Sequence, residues 1–458
     1  MTKILWLGWG LLSAMLIAYF GYKIFYSDNK SEFVVGEATH GHHQIEMACE
    51  TCHTDSFGGP EVLQDACTNC HGQDLTLARD DHPKKKFTNP RNAALIEILD
   101  ARQCISCHTE HQAEQTHPMG VTLPTDYCFH CHQEVGANRP SHKGLPFDSC
   151  ANAGCHNFHD NRALYEDFLV INANQPWLKQ ISSLAAANHA KYSAPHGTGE
   201  GANAIFAKKL KQHPEVQESW AMSVHSTANV QCVNCHVAEN LEGEDQTAAT
   251  NDDIWIEKPG IEACQSCHSD EVAGFTSGKH GMRLSPLLSK PLSPMMPAMA
   301  RLEFHESSHH RELTCNSCHD VHQLNTQSAA ADSCLNCHAD DHSSAFRESP
   351  HGQLWEKELA GQAEVGSGVS CATCHMPRLP LAGFADAEKT IKEYRVQHNQ
   401  NDILRPNEKM IRPVCMHCHS LEFSIDALAD EALIRTNFRG KPAKHVESVD
   451  WALKRVKN

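Results

Sequence analysis

The chain has 458 residues and a formal net charge of −17, an acidic balance that disfavours a nucleic-acid binder, which is usually basic. Aromatic residues make up 7%, and 26 Gly with 21 Pro imply much irregular backbone, so side chains alone have little with which to fill a large conventional core. The acidity itself reads either as a solvated surface or as steering towards basic partners.

Residues 4–22, ILWLGWGLLSAMLIAYFGY, form an uncharged apolar run close to the roughly 20 residues that span a bilayer as a helix. The alternative is a cleaved signal peptide, with an apolar stretch of about 7–15 residues before a small-residue site. This run is longer and has no such site, so the sequence predicts an uncleaved anchor over residues 1–30. Lys3, Lys23 and Lys30 flank both ends and do not orient it.

Beyond the anchor the chain is dominated by 22 cysteines and 34 histidines. C-x-x-C-H is the spacing of covalent haem attachment: two thiols add across the vinyl groups of one porphyrin, and the histidine binds the iron from one face. Ten copies occur in order: Cys49/Cys52/His53, Cys67/Cys70/His71, Cys104/Cys107/His108, Cys128/Cys131/His132, Cys232/Cys235/His236, Cys264/Cys267/His268, Cys315/Cys318/His319, Cys334/Cys337/His338, Cys371/Cys374/His375 and Cys415/Cys418/His419. A stretched copy, Cys150-Ala-Asn-Ala-Gly-Cys155-His156, stands fifth in the chain. These pairs use every cysteine, whereas a disulfide framework or zinc ribbons would not place histidine after each second cysteine. The predicted cofactor is haem c, eleven copies. Such attachment happens outside the cytoplasm, which places the bulk of the chain on the periplasmic side of a bacterial inner membrane.

Enough histidines remain for a second axial imidazole on every iron, which would close both faces and leave no site for substrate. The distal candidates are His43, His82, His111, His142 and His159 in the first block. In the second they are His225, His280, His309, His322, His351 and His398. His43 competes with His40 and His42. His111, His159 and His322 sit in C-H-x-x-H, within short reach of a neighbouring haem.

Five motifs lie between Cys49 and His156 and six between Cys232 and His419. The expected organisation is a five-haem domain over 31–160, a helical connector over 161–222 and a six-haem domain over 223–458. Helical periodicity runs through Arg162–Leu169 and Ile205–Val224. Ser193–Gly201, the acidic Leu241–Asp253 and the proline-rich Ser285–Pro297 read as loops. Leu421–Arg435 reads as one amphipathic helix, a packing lid over the last haem. The expected fold is mainly α with much irregular coil and a haem-packed core, in two haem domains behind one transmembrane helix.

The C-H-x-x-H habit and the stretched motif make residues 37–160 resemble the class III cytochromes c, the c3/c7 group. The resemblance implies small haem-filled domains with bis-histidine iron. Gln212-His-Pro-Glu, then Trp220, then His225 seven residues before Cys232 resembles the pentahaem ammonia-forming nitrite reductases. Cys371-Ala-Thr-Cys-His-Met-Pro-Arg378, His398-Asn and Cys415-Met-His-Cys-His419 resemble the closing haem pair of those reductases and of octahaem hydroxylamine oxidoreductases. The Ser-x-His rhythm, as in Ser223-Val-His225 and Ser349-Pro-His351, is similar to that of decahaem conduits.

Two departures argue against a reductase. Those nitrite reductases carry lysine after the second cysteine of the catalytic haem, and this chain has no C-x-x-C-K. Nothing around Tyr127, Tyr165, Tyr192 or Tyr394 suggests the tyrosine cross-link of the hydroxylamine enzymes. The expectation is therefore an electron relay without its own substrate site. It would link the quinol pool, through a quinol-oxidising membrane protein, to a downstream redox protein, a terminal reductase or a conduit. Membership of a larger respiratory complex stays open, as does the alternative of a terminal reductase for a nitrogen or sulfur oxyanion at a five-coordinate haem.

Overall fold

The computed structural model describes residues 2–27, 30–55, 58–139, 142–143, 156–160, 166–172, 208–209, 211–237, 255–290, 292–323, 325–380, 394–404, 407–446, 450 and 454. Cys150, Cys155 and the expected loops at 193–201 and 241–253 lie outside them.

The N-terminal apolar run forms a continuous helix, Thr2–Phe25, long and apolar enough to cross a membrane. Its large side chains, Trp6, Trp9 and Phe25 among them, are exposed along its length. A helix bonds all of its own backbone groups, so it suits a solvent that offers no hydrogen bonds.

The remainder is mainly helical, in short pieces joined by coil. It divides into two compact units. The first holds residues 1–134, 146–151 and 286–292, and with them the first four motifs. The second holds residues 135–145, 152–285 and 293–458, with His156 and the last six motifs.

The brevity of the helices follows from the motif. Cysteines at i and i+3 and a histidine at i+4 share one face of a single helical turn, so one turn is all that each needs. Cys49–Cys52, Phe129–His132, Val233–His236 and Cys371–His375 are such turns. In motif after motif the histidine N–H donates to the carbonyl of the first cysteine, as from His53 to Cys49 (2.8 Å), His268 to Cys264 (2.8 Å) and His419 to Cys415 (2.8 Å). The second cysteine often donates to the same carbonyl, as from Cys131 to Cys128 (3.3 Å) and from Cys418 to Cys415 (3.1 Å). The last motif is tightened into a 3₁₀ turn, Cys415–His417, which Cys418 closes. The longest helix of the first unit beyond the apolar one, Pro60–Ala78, carries the whole second motif. Among the described residues the sheet is one antiparallel pair, Arg378–Pro380 with Tyr394–Val396, in the register Leu379 to Arg395.

The side-chain core is thin. In the second unit Leu169, Met410, Ile411, Leu421, Ile425 and Leu428 form one apolar cluster, and Ala331, Phe346 and Trp355 form a smaller one. Motif cysteines pack against both: Cys374 and Cys415 on the first, Cys371 on the second.

The expected single helix over 421–435 is two, Leu421–Ala429 and Glu431–Arg435. Asp430 breaks it by leaving helical geometry and capping the second helix, its carboxylate accepting the Ala432 and Leu433 N–H groups at 3.1 and 3.2 Å. The same carboxylate accepts the Ala443 N–H (2.8 Å). Asp426, buried on the preceding helix, accepts the Val446 N–H (2.9 Å) and faces His445 Nδ1 (2.9 Å). Two carboxylates thus fasten residues 443–446 across the break.

Ile411 is fully buried at the centre of the larger cluster. Ile411→Ala should lower stability by about 2–5 kcal/mol, measured by urea unfolding of the holoprotein. The Asp426 hydrogen bond raises the His445 pKa; Asp450 adds to the effect, while Glu422 and Lys444 are also close by. A raised pKa means that this contact stabilises fully below the ordinary value of about 6.5 and is lost as pH climbs through the folded value. Proteolysis at Lys441–Val446 should therefore quicken as pH rises past that range, and Asp426→Asn should flatten the dependence.

Candidate haem sites

Nine motif histidines face a second imidazole at nearly constant spacing. In the first unit His71 faces His42 (5.8 Å between ring centres) and His132 faces His82 (6.1 Å). In the second unit the pairs are His156–His142 (6.2 Å), His236–His322 (6.1 Å), His268–His225 (6.2 Å) and His319–His398 (6.4 Å). His338–His280 (6.2 Å), His375–His342 (6.1 Å) and His419–His351 (6.1 Å) complete the set. A metal–imidazole bond of about 2 Å, plus about 1 Å from nitrogen to ring centre, puts two axial imidazoles roughly 6 Å apart. The spacing fits one iron between each pair.

The second nitrogen of many of these rings is already engaged, which leaves Nε2 to face the gap. Nδ1 lies against a backbone carbonyl in His108 (Gly120, 3.0 Å), His236 (Ile256, 2.6 Å), His225 (Val321, 3.3 Å), His342 (Ile434, 2.5 Å) and His398 (Val396, 3.0 Å). Such a partner sets both tautomer and ring orientation. His42 is different: its Nδ1 meets a carboxylate, Glu110 Oε1, at 2.6 Å. Burial opposes the charge on Glu110, yet His42 and the Thr39 N–H and hydroxyl hold its pKa down at about 2.

Burial also keeps the rings neutral, the form that binds metal. It pushes His280, His351 and His375 down to about 4, and lowers His268, His319, His338, His398 and His419 as well. The thiols move the other way. Burial pushes Cys107, Cys318 and Cys374 up to about 11, with Cys418 adding to the effect at Cys374. A sulfur that resists ionisation suits an uncharged thioether and not a thiolate zinc site.

The Ser-x-His rhythm has a local cause. Ser223 and Ser349, both buried, cap short helices by accepting the Ser226 and Gly352 N–H groups at 3.2 and 3.0 Å. Each cap sets a histidine on the first turn behind it, His225 or His351. Ser308 does not cap. It ends a 3₁₀ turn and donates to the His305 carbonyl (2.7 Å).

That difference accounts for one departure from the sequence reading. His309 turns its Nε2 towards the Phe304 carbonyl (3.3 Å), and the ring facing His375 is His342. Sequence reading missed His342, although C-H-x-x-x-H was there to see at Cys337–His342. A second departure is at His71, which faces His42 and not His43, because Glu110 holds the His42 ring. His43 instead sets Nδ1 against the His40 carbonyl (3.2 Å), with Nε2 buried and unbonded to protein. His111 presents Nδ1 to the Gly36 carbonyl (2.9 Å) from a left-handed backbone, φ 61°. Gly36 is required there, since a Cβ would collide with the His111 carbonyl. His159 lies edge-on to Phe158 (5.1 Å). The rings expected at His82, His142, His225, His280, His322, His351 and His398 each face a motif histidine.

Residues 41–133 match the family model of cytochrome c3. This segment is a c3-type multihaem cytochrome. The match takes in the first four motifs, Cys49 to His132. The chain is a haem c-binding, electron-transfer cytochrome of mainly α structure.

The ring planes differ in a way that spectroscopy reads. His236 and His322 are near parallel (11°), whereas His82–His132 (86°) and His342–His375 (89°) are near perpendicular. Parallel imidazoles split the iron d-orbital pair that perpendicular ones leave close in energy. The ferric cytochrome should therefore show a rhombic low-spin electron paramagnetic resonance signal beside large-g signals, and His322→Ala should remove the rhombic one.

Proposed function

We propose that the protein is a membrane-tethered, periplasmic electron relay carrying eleven c haems. The observation that carries this reading is the facing imidazole at nine motif histidines, which would leave those irons no open face for a substrate. In the first unit His43 and His111, each with Nδ1 anchored on a carbonyl, are the candidate partners of His53 and His108. Bound haem supplies reversible one-electron chemistry at the iron. The chain's own residues hold the irons and set their environments. Carbonyls orient the imidazoles, burial keeps them neutral, and Glu110 adds negative charge behind one of them.

The apolar helix Thr2–Phe25 supports a single-pass anchor in the inner membrane. Electrons would enter from a quinol-oxidising membrane protein and leave to a downstream redox protein.

The test is the intact mass of the purified membrane form with a spectroscopic haem count. The expected result is an uncleaved chain with eleven haems and no high-spin ferric signal that shifts on adding nitrite or hydroxylamine. Such a shift, with turnover, would replace the relay with a terminal reductase.

A further inference from the structure

Number the motifs one to eleven in chain order. In the second unit the thiols of each of the last six meet those of the next. Six and seven are joined by packing of the Val233–His236 turn on the Glu262–Gln265 turn, and Cys235 is an electrostatic neighbour of both Cys264 and Cys267. Seven and eight meet through a hydrogen bond between the Cys264 and Cys315 thiols. Between eight and nine, Ser333 donates to the Cys318 carbonyl (2.8 Å), and Cys318 neighbours Cys334 and Cys337. Nine and ten meet through a hydrogen bond between Cys334 and Cys371. Ten and eleven share the larger apolar cluster, on which Cys374 and Cys415 both pack, and Cys374 is an electrostatic neighbour of Cys415 and Cys418 alike.

The contacts alternate in kind. At seven–eight and nine–ten the first cysteine of one motif bonds the first cysteine of the next. At six–seven, eight–nine and ten–eleven the earlier motif contributes its second cysteine, at longer range. The first unit repeats the figure. Cys52 neighbours Cys70 between one and two, while Cys67 bonds Cys104 between two and three, where Gln64 also accepts the Cys104 N–H (2.8 Å).

We infer that the last six haems form one unbranched row in chain order, in which close contacts between first-cysteine edges alternate with looser ones. The inference rests on the relay reading, since it takes each motif to carry a haem. A thiol marks where a porphyrin edge is tethered, so two thiols in contact bring two porphyrin edges together. The row has two ends, the centres at His236 and His419. Phe423 stacks on His419 (4.8 Å) and Trp255 on His236 (4.7 Å), so each end imidazole is backed by an aromatic ring.

A cryo-electron microscopy map of the full-length holoprotein tests this. The expected result is six porphyrins in chain order, with the thioether edges of seven–eight and nine–ten in van der Waals contact, about 4 Å. A porphyrin standing between two consecutive members, or a parted seven–eight or nine–ten pair, overturns the order. Haem-peptide mass spectrometry on the same preparation separates the two levels of the argument. A motif in this unit without haem brings down the haem assignment; six occupied motifs in another order bring down the row alone.

Discussion

A buried imidazole that gives one nitrogen to a backbone carbonyl has only the other to offer, and it can be turned only one way. His225, His236, His342 and His398 are held like this, and burial keeps several of their partners neutral. Much of the architecture serves that single requirement. Helices shrink to one turn because one turn aligns two thiols and a ring. Buried serines cap the turns that carry the opposite ring. Carbonyls far along the chain, such as Ile434 behind His342, are brought back to fix the tautomer.

The cost of this arrangement is a sparse interior. The larger apolar cluster gathers on the Leu421–Ala429 helix and is itself in contact with motif cysteines. Side-chain packing and cofactor attachment are therefore not separable in this molecule. A ligand that binds the folded state alone adds its binding energy to stability, so the chain depends on its haems for order as well as for electron transfer. The carboxylates at Asp426 and Asp430 do at the C-terminal end what a larger core would otherwise do, tying residues 443–446 to the helix break by hydrogen bonds.

What could be read from the sequence was what is local. The motifs, their one-turn geometry and the apolar helix are all set within a few residues. His225 and His351 were readable because the serine that positions each lies two residues away. The choice between His42 and His43 was not, because it is made by Glu110, 68 residues along. His342 was passed over for His309 because its ring is fixed by a carbonyl 92 residues away, and because Ser308 resembles a cap in sequence without acting as one. The break at Asp430 left a trace, since aspartate is a favoured cap, but the apolar periodicity runs through it. Cytochrome c3 likeness in the first four motifs was visible from ligand spacing alone.

Glu110 sets one centre apart. An imidazole whose proton is shared with a carboxylate donates more electron density to a metal than one bonded to a carbonyl. In the proposed assignment the iron between His42 and His71 is therefore the most reluctant of the first unit to accept an electron. It would fill last and empty first. A centre of that kind acts as a threshold: charge crosses it only when pressure from the donor side is high, and its return is disfavoured once the neighbours are full.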